Sequence, residues 1–308
     1  MSLRSKNFRA NLLHHASAVT VLIVAAMSQT ASAQVPESFD TGSDNQLGLT
    51  FTPDGSTAFW VAWDGDWGSS AATQRVIYTS QQEHGVWSAP TPVDFSGNHS
   101  DGDPFVTPDG QWLYFVSERP TGGDDEPSDA NIWRYSLIEK NRLEYISINS
   151  GSAEYSPVVT ASGVLYFASN RDGGPEQGDL YRAAPMGGDF LTPQPLGPVF
   201  NTRTGEWNLW VSADESEIIF EASSRPTNIS TPGDLYYSCL TSAGWTPAIP
   251  IEQINSLNSE LMPRLHPDGE TLYYTSAPIG GHAQILTVKW GPLREQLSSA
   301  HAPMLCID

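Results

Sequence analysis

Four acidic residues stand at matched places along the chain: Asp101, Glu154, Glu206 and Glu260, separated by 53, 52 and 54 residues. Carboxylates gathered in one place can do three kinds of chemistry. Two of them flanking a sugar act as acid and base or nucleophile in glycoside hydrolysis. Several converging oxygens hold a cation, calcium asking for six or more. An acidic ring also attracts a basic peptide. Three of the four are followed by a Ser-x-Arg triplet: Ser117-Glu118-Arg119, Ser169-Asn170-Arg171 and Ser223-Ser224-Arg225. A guanidinium fork matches a carboxylate, so Asp101–Arg119, Glu154–Arg171 and Glu206–Arg225 read as structural ion pairs. An Arg partner also depresses a carboxyl pKa and unfits the group as a general acid. Such pairs are common in repeat scaffolds, and the structural reading is the weightier one. Glu260 is followed by Ser276-Ala277-Pro278, with no Arg, and is the most available carboxylate of the set.

Other constellations carry less. Trp60, Trp63 and Trp67 crowd the segment WVAWDGDWGSS. Trp63 and Trp67 in a loop could stack on a sugar or a peptide, or simply cap the underlying sheet. His84, His99, His266 and His282 are scattered, and His266 falls where it is either packed or facing a channel. No G-x-S-x-G elbow exists for a serine hydrolase. With no C-x-x-C or Cys/His cluster, neither a metal nor a cofactor is expected. Gly122 to Glu126 (GGDDE) reads as a solvated acidic loop.

The elements that must position these residues form a repeat. Five segments align, beginning at Gln46, Asp101, Glu154, Glu206 and Glu260, and their closing aromatics are Trp60, Phe115, Phe167, Phe220 and Tyr274, spaced 52–55 residues apart. In the second copy, Pro104 to Thr107 is a short strand and Pro108-Asp109-Gly110 a turn. Trp112 to Ser117 is a strongly β-prone run, and Asn131 to Ser136 a third strand. A fourth strand is announced by Trp87-Ser88-Ala89-Pro90, Phe190-Leu191-Thr192-Pro193 and Trp245-Thr246-Pro247, and in the degenerate second copy by Leu143 to Ile148. Four strands per repeat, with no helical period, predict an all-β, five-bladed β-propeller of four-stranded blades, six blades being the alternative. The first strands then line a central channel. The acidic column should form a ring near one mouth, with the Arg column beside it across antiparallel pairs. The fifth copy has three strands, the last from about Gln284 to Trp290. Val35 to Phe39 could supply the missing outer strand and lock the ring. Residues 291–308 read as a tail, with a short helix near Glu295 to Ser299.

The segments TPDGQWLYFVSERP, ASGVLYFASNRDGG and HPDGETLYYTS resemble the WD-like, P-D-G repeat of TolB-type β-propellers, over about residues 45 to 290. The fourth copy departs from it, with Ala213-Asp214 in place of Pro-Asp and no Gly. The resemblance implies a propeller in an exported bacterial protein. Some such proteins are interaction hubs, and others are domains joined to peptidases. It implies no activity of its own.

The chain has 308 residues, of which 35 are acidic and 15 basic, for a formal charge of −20. That balance argues against nucleic acid and against docking on anionic lipid. Arg4, Lys6 and Arg9, the apolar run Ala16 to Met27 and Ala31-Ser32-Ala33 read in order as a cleavable signal peptide over residues 1–33, too short for a membrane span. The domain plan is therefore a signal peptide (1–33), a propeller (34–290) and a tail (291–308), in a periplasmic or secreted protein. Export permits disulfides. Cys239 and Cys306, the sole cysteines, either bridge the tail to the body or stay unpaired. The expectation is a monomeric, non-catalytic binding module for a protein or glycan. The alternative is a glycoside hydrolase-like enzyme using the channel carboxylates.

Overall fold

The computed structural model describes residues 33–34, 39–69, 73–121, 129–172, 178–300 and 306. Most of the predicted signal peptide, the acidic loop of Gly122 to Glu126 and residues 35–38 lie outside the described residues.

Five small antiparallel sheets form the blades of a five-bladed propeller. The inner strands are Asn45–Phe51, Asp101–Val106, Glu154–Val159, Glu206–Val211 and Ser259–Leu265. The second strands are Thr57–Trp63, Trp112–Ser117, Leu165–Ser169, Glu217–Ala222 and Thr271–Ala277, and the third are Val76–Glu83, Asn131–Ser136, Asp179–Ala183, Asp234–Thr241 and Gln284–Lys289. The outer strands are short: Thr91–Pro92, Leu143–Tyr145, Gln194–Pro195 and Ile249–Pro250. Pro at such edges is compatible with the sheet because the missing N–H faces outward. The second-copy inner strand begins at Asp101, earlier than the predicted Pro104, because the backbone of Asp101 and Gly102 already pairs with Ser117 and Val116.

The fifth blade is completed from the other end of the chain. Ala33–Gln34 pairs antiparallel with Gln284–Lys289, Ala33 opposite Thr287 and Gln34 opposite Leu286. This outer strand lies just ahead of the predicted Val35 to Phe39. Phe39 instead turns inward against Phe51, Trp60 and Trp87, with ring centroids 4.9–6.3 Å apart. Ala33–Gln34 thus belongs to blade five and Phe39 to the core of blade one.

The repeated aromatics make the core. Trp60, Phe115, Phe167 and Phe220 are 0% exposed and Tyr274 is 2%. Each lies in the second strand and packs into a cluster that joins its blade to a neighbour, which is why the repeat keeps a large ring at this position. After Lys289 the chain forms a helix, Trp290–Ala300, longer than the short helix predicted near Glu295 to Ser299. It buries Trp290, Leu293 and Leu297 against blades four and five. Cys239 and Cys306 form a disulfide, Cα–Cα 5.6 Å, fixing the end of the chain to the third strand of blade four. No helix among the described residues is long and apolar enough to cross a membrane.

Candidate functional site

The acidic column is where the repeat puts it, at the start of the inner strands, but it does not face an open mouth. Asp101, Glu154 and Glu206 are 0% exposed and Glu260 is 1%. Arg119 Nη2 lies 2.8 Å from Asp101 Oδ1, Arg171 Nη2 2.7 Å from Glu154 Oε1 and Arg225 Nη2 2.9 Å from Glu206 Oε1. The same Nη2 atoms donate to the carbonyls of Phe95, Ile148 and Phe200 in the segments arriving from the preceding blades. The guanidinium planes rest on Phe115, Phe167 and Phe220 at 4.8–5.1 Å. Each carboxylate also accepts a hydroxyl from the incoming segment: Ser96, Ser150, Thr202 and Ser256. Glu260 has no Arg and accepts Ser256 N–H, Ser256 Oγ and Ser276 Oγ at 2.7–3.0 Å. Burial raises the pKa of Glu154 and Glu260 above the ordinary glutamate value, against the pull of these donors. The predicted acidic mouth is thus a set of internal staples. Their lone pairs are taken up in joining blade to blade.

The tryptophans fall similarly. Trp63 is 7% exposed and packs in the core with Trp67, centroids 5.8 Å apart. Trp67 N–H donates to Gly281 O in blade five. The pair seals the seam between the first and last blades, and Trp63 presents no exposed ring.

The axis is built from a feature that the alignment does not announce. In all five blades the pairing of inner and second strands slips by one residue, a β-bulge. The bulged residues Gly48, Asp103, Ser156, Asn208 and Met262 all have φ between 42° and 69°. Four of the five are not Gly, so the ring holds local strain, as functional and close-packed sites do. At Gly48 the position lies beside Pro104 of blade two and Met262 of blade five, where a Cβ would make ordinary contacts, so it is the φ of 69° that glycine suits there. The other side of the ring is polar. Ser156 N–H donates to Asp103 Oδ2 at 2.9 Å, Ser156 Oγ donates to Asn208 Oδ1 at 2.8 Å, and Asn208 Nδ2 donates to Glu221 Oε2. Glu221 occupies a second-strand position held by Val116 and Ala168 in neighbouring copies. Burial, with Asp103, Asp234 and Glu260 nearby, lifts its pKa to about 7. Its signal in the sequence is a charged residue inside an apolar strand, IIFEA, at a position that is apolar in the neighbouring copies.

On the face carrying the turns between first and second strands, the channel opens into a pocket of ≈ 440 Å³ bordered by Phe51, Phe105, Trp210, Arg264, His266 and Arg294. Arg264 crosses from blade five. Nη1 donates to Leu209 O at 2.9 Å and Pro263 O at 2.8 Å, and the guanidinium carbon lies 5.7 Å from the Phe105 ring centre. Burial lowers its pKa to about 10, opposed by the charge of Asp103, so it remains a cation at neutral pH. A second pocket of ≈ 370 Å³, between blades two and three, is bordered by Trp112, Tyr114, Arg134 and Phe190. The two share Thr107, Pro108 and Val159 and so lie side by side on this face. Among the described residues, no group of His, Cys, Asp and Glu has the arrangement of a metal site.

No known family profile matches the chain, and no curated protein matches it. Solved structures do. An α-L-arabinofuranosidase from Lactobacillus brevis is 11% identical with a TM-score of 0.51, over 84% of this chain and 95% of that one. A puromycin-hydrolyzing peptidase of Mycobacterium tuberculosis is 14% identical with a TM-score of 0.44 over 75% of this chain, which spans 34% of that protein's length. An oligogalacturonate lyase is 15% identical with a TM-score of 0.42, over 80% of this chain and 65% of its own. At 11% identity the likeness to the arabinofuranosidase shows the fold alone.

Proposed function

We propose that the protein is an exported, monomeric, non-catalytic binding module. It holds a protein or glycan partner in the turn-face cleft. The observation that carries this reading is the cleft itself: a concave, largely apolar and aromatic space with a few convergent polar groups, of the size ligand sites have. The resemblance of the repeats to TolB-type propellers and the signal-like leader support export. Cleavage after Ala33 would leave Gln34 in the outer strand of the last blade.

The test is a thermal-shift panel of soluble glycans and peptides on wild type and Ala213→Trp. Ala213 is an exposed turn residue on the pocket rim, so the added indole occupies the pocket without entering the core. Ligands that raise the melting temperature of wild type should have no effect on the variant. A shift that survives in Ala213→Trp moves the site elsewhere.

The carbohydrate-active alternative has one observation in its favour, the linked pair of buried carboxylates Asp103 and Glu221. Turnover of a panel glycan by wild type, lost in Glu221→Gln, would replace the binding reading with this one.

A further inference from the structure

In the ≈ 370 Å³ pocket between blades two and three, the acidic groups are within reach of solvent. Asp109 is exposed and Asp189 half-buried. Each uses one carboxylate oxygen internally. Asp109 Oδ1 accepts Thr107 Oγ1 and Gln111 N–H, and Asp189 Oδ1 accepts Phe190 N–H at 3.0 Å and Ser147 N–H at 3.4 Å. Among the described residues, neither Oδ2 takes a hydrogen bond and neither carboxylate has an ion pair. The cations beside the pocket are already matched. Arg134 Nη2 lies 2.6 Å from Glu144 Oε2, and Arg142 reaches Glu144 at 2.6 Å and Glu139 at 3.2 Å. Uncompensated negative charge therefore borders an apolar wall of Pro108, Trp112 and Pro185. Asp109 belongs to the repeated turn, but the repeat calls for neither of the other two groups. At the place of Trp112 the other copies hold Thr57, Val164, Glu217 and Thr271, and at that of Asp189 they hold Val86 and Gly244. Arg134 positions both. Its guanidinium carbon lies 4.3 Å from the Trp112 ring centre, and Nη2 donates at 2.9 Å to Gly188 O, at the tip of the hairpin that carries Asp189.

We propose that this pocket receives a basic side chain, Arg or Lys, presented by a protein partner. Asp109 and Asp189 supply the counter-charge, and a charge-assisted hydrogen bond to a carboxylate is among the stronger polar contacts. A long basic side chain also carries an aliphatic stem, which buries well on apolar surface while its head stays polar. Pro108, Trp112 and Pro185 offer that surface in the same space. The overall charge of −20 draws a cationic partner at long range, and the pocket adds the short-range contact that fixes where it docks. The assignment rests on the reading of the turn face as a binding surface, and it names the partner's chemistry.

The experiment titrates the full chain with the peptides acetyl-Gly-Gly-X-Gly-Gly-amide, where X is Arg, Lys or the neutral Arg analogue citrulline, by ligand-observed NMR. Wild type is compared with Asp189→Asn, Asp109→Asn and a control, Asp54→Asn, which makes the same charge change in the corresponding turn of blade one. Asn keeps an acceptor oxygen for the turn and hairpin bonds, and melting curves show that each variant is folded. Wild type is expected to bind the Arg and Lys peptides saturably, less tightly at high salt, and the citrulline peptide roughly tenfold more weakly. Asp189→Asn and Asp109→Asn should each weaken the charged peptides roughly fivefold, and Asp54→Asn should leave them unchanged. Equal binding of the Arg and citrulline peptides overturns the cation assignment while leaving the pocket as a site. An equal loss in Asp54→Asn shows diffuse attraction to an acidic protein and overturns the site. Tighter binding of putrescine than of either charged peptide makes the ligand a free amine and overturns the protein partner. Failure of every peptide on folded wild type overturns the proposal, and leaves the axis pocket to be judged by the thermal-shift comparison with Ala213→Trp.

Discussion

At the scale of single residues, the acid and Arg columns show how a reactive-looking pattern becomes structural. Asp101 and Arg119 are read from their repeat positions as partners, and the structure brings them to 2.8 Å with both side chains buried. Removing one member leaves an uncompensated buried charge. Arg119→Met is therefore expected to lower stability by about 3–5 kcal/mol, whereas Asp101→Leu combined with Arg119→Met should recover most of it. Denaturant titration of the three proteins checks this, and a small loss in the single variant would refute the staple. Glu221 makes the opposite case. Its folded-state pKa of about 7 lies above the ordinary 4.5, so the folded chain holds this proton more tightly than the unfolded one. The resulting stability is complete below about pH 4.5 and is lost as pH rises through 7, by roughly 3 kcal/mol. Glu154 and Glu260 are shifted in the same direction and add to the slope. Glu221→Gln should flatten the decline between pH 4.5 and 7 and stabilise the protein at pH 8. An unchanged pH profile would mean that Glu221 ionises normally. The staples could be read from spacing because both partners recur. Glu221 and Arg264 occur in one blade each, and a lone charge in an alignment column says nothing about where it points.

At the scale of elements, the P-D-G turns and β-prone runs were legible because local chemistry decides them: Pro and Gly preset the turn, and branched and aromatic residues fill the strand. The inner-strand bulge was not. Gly, Asp, Ser, Asn and Met at the five bulged positions share no side-chain property, and what they share is a positive φ imposed by five strands meeting at one axis. The C-terminal helix was partly legible. Its start at Trp290 rather than Glu295 follows from burial of Trp290 and Leu293, an apolar contact supplied by another blade. The disulfide completes this element. It links positions 67 residues apart, and in the chain-entropy account such a loop is worth about 4 kcal/mol. Cys306→Ser is expected to lower stability by up to that amount and to increase hydrogen exchange in residues 290–300. Unchanged exchange there would show that Trp290, Leu293 and Leu297 anchor the helix unaided.

At the scale of the whole molecule, closure is the controlling event. A ring of blades leaves the apolar faces of its first and last blades exposed unless the two meet. Here Ala33–Gln34 pairs with the last blade, Gln46 N–H donates to Ala283 O at 2.9 Å, and Ala283 N–H donates to Asn45 Oδ1 at 2.8 Å. Phe39, 4% exposed, packs into the core of blade one. Phe39→Ala should cost about 3–5 kcal/mol and make unfolding less cooperative, with blades one and five losing amide protection before blades two to four. Uniform loss of protection would place the closing contact elsewhere.

The amino-acid sequence alone determined the five-fold repeat, the four-stranded blade and the Arg partners of three acids. Those features depend on residue types recurring at a fixed period, and a period survives in one dimension. Tertiary structure alone decided that the acidic ring is sealed, that Trp63 is core, that the cysteines are bonded and that Arg264 borders a pocket with part of its guanidinium unpaired. Each of these depends on which neighbour a side chain meets across the axis or across a blade seam. Such encounters join residues more than 50 positions apart, as Arg264 and Leu209 do, and no local pattern encodes them.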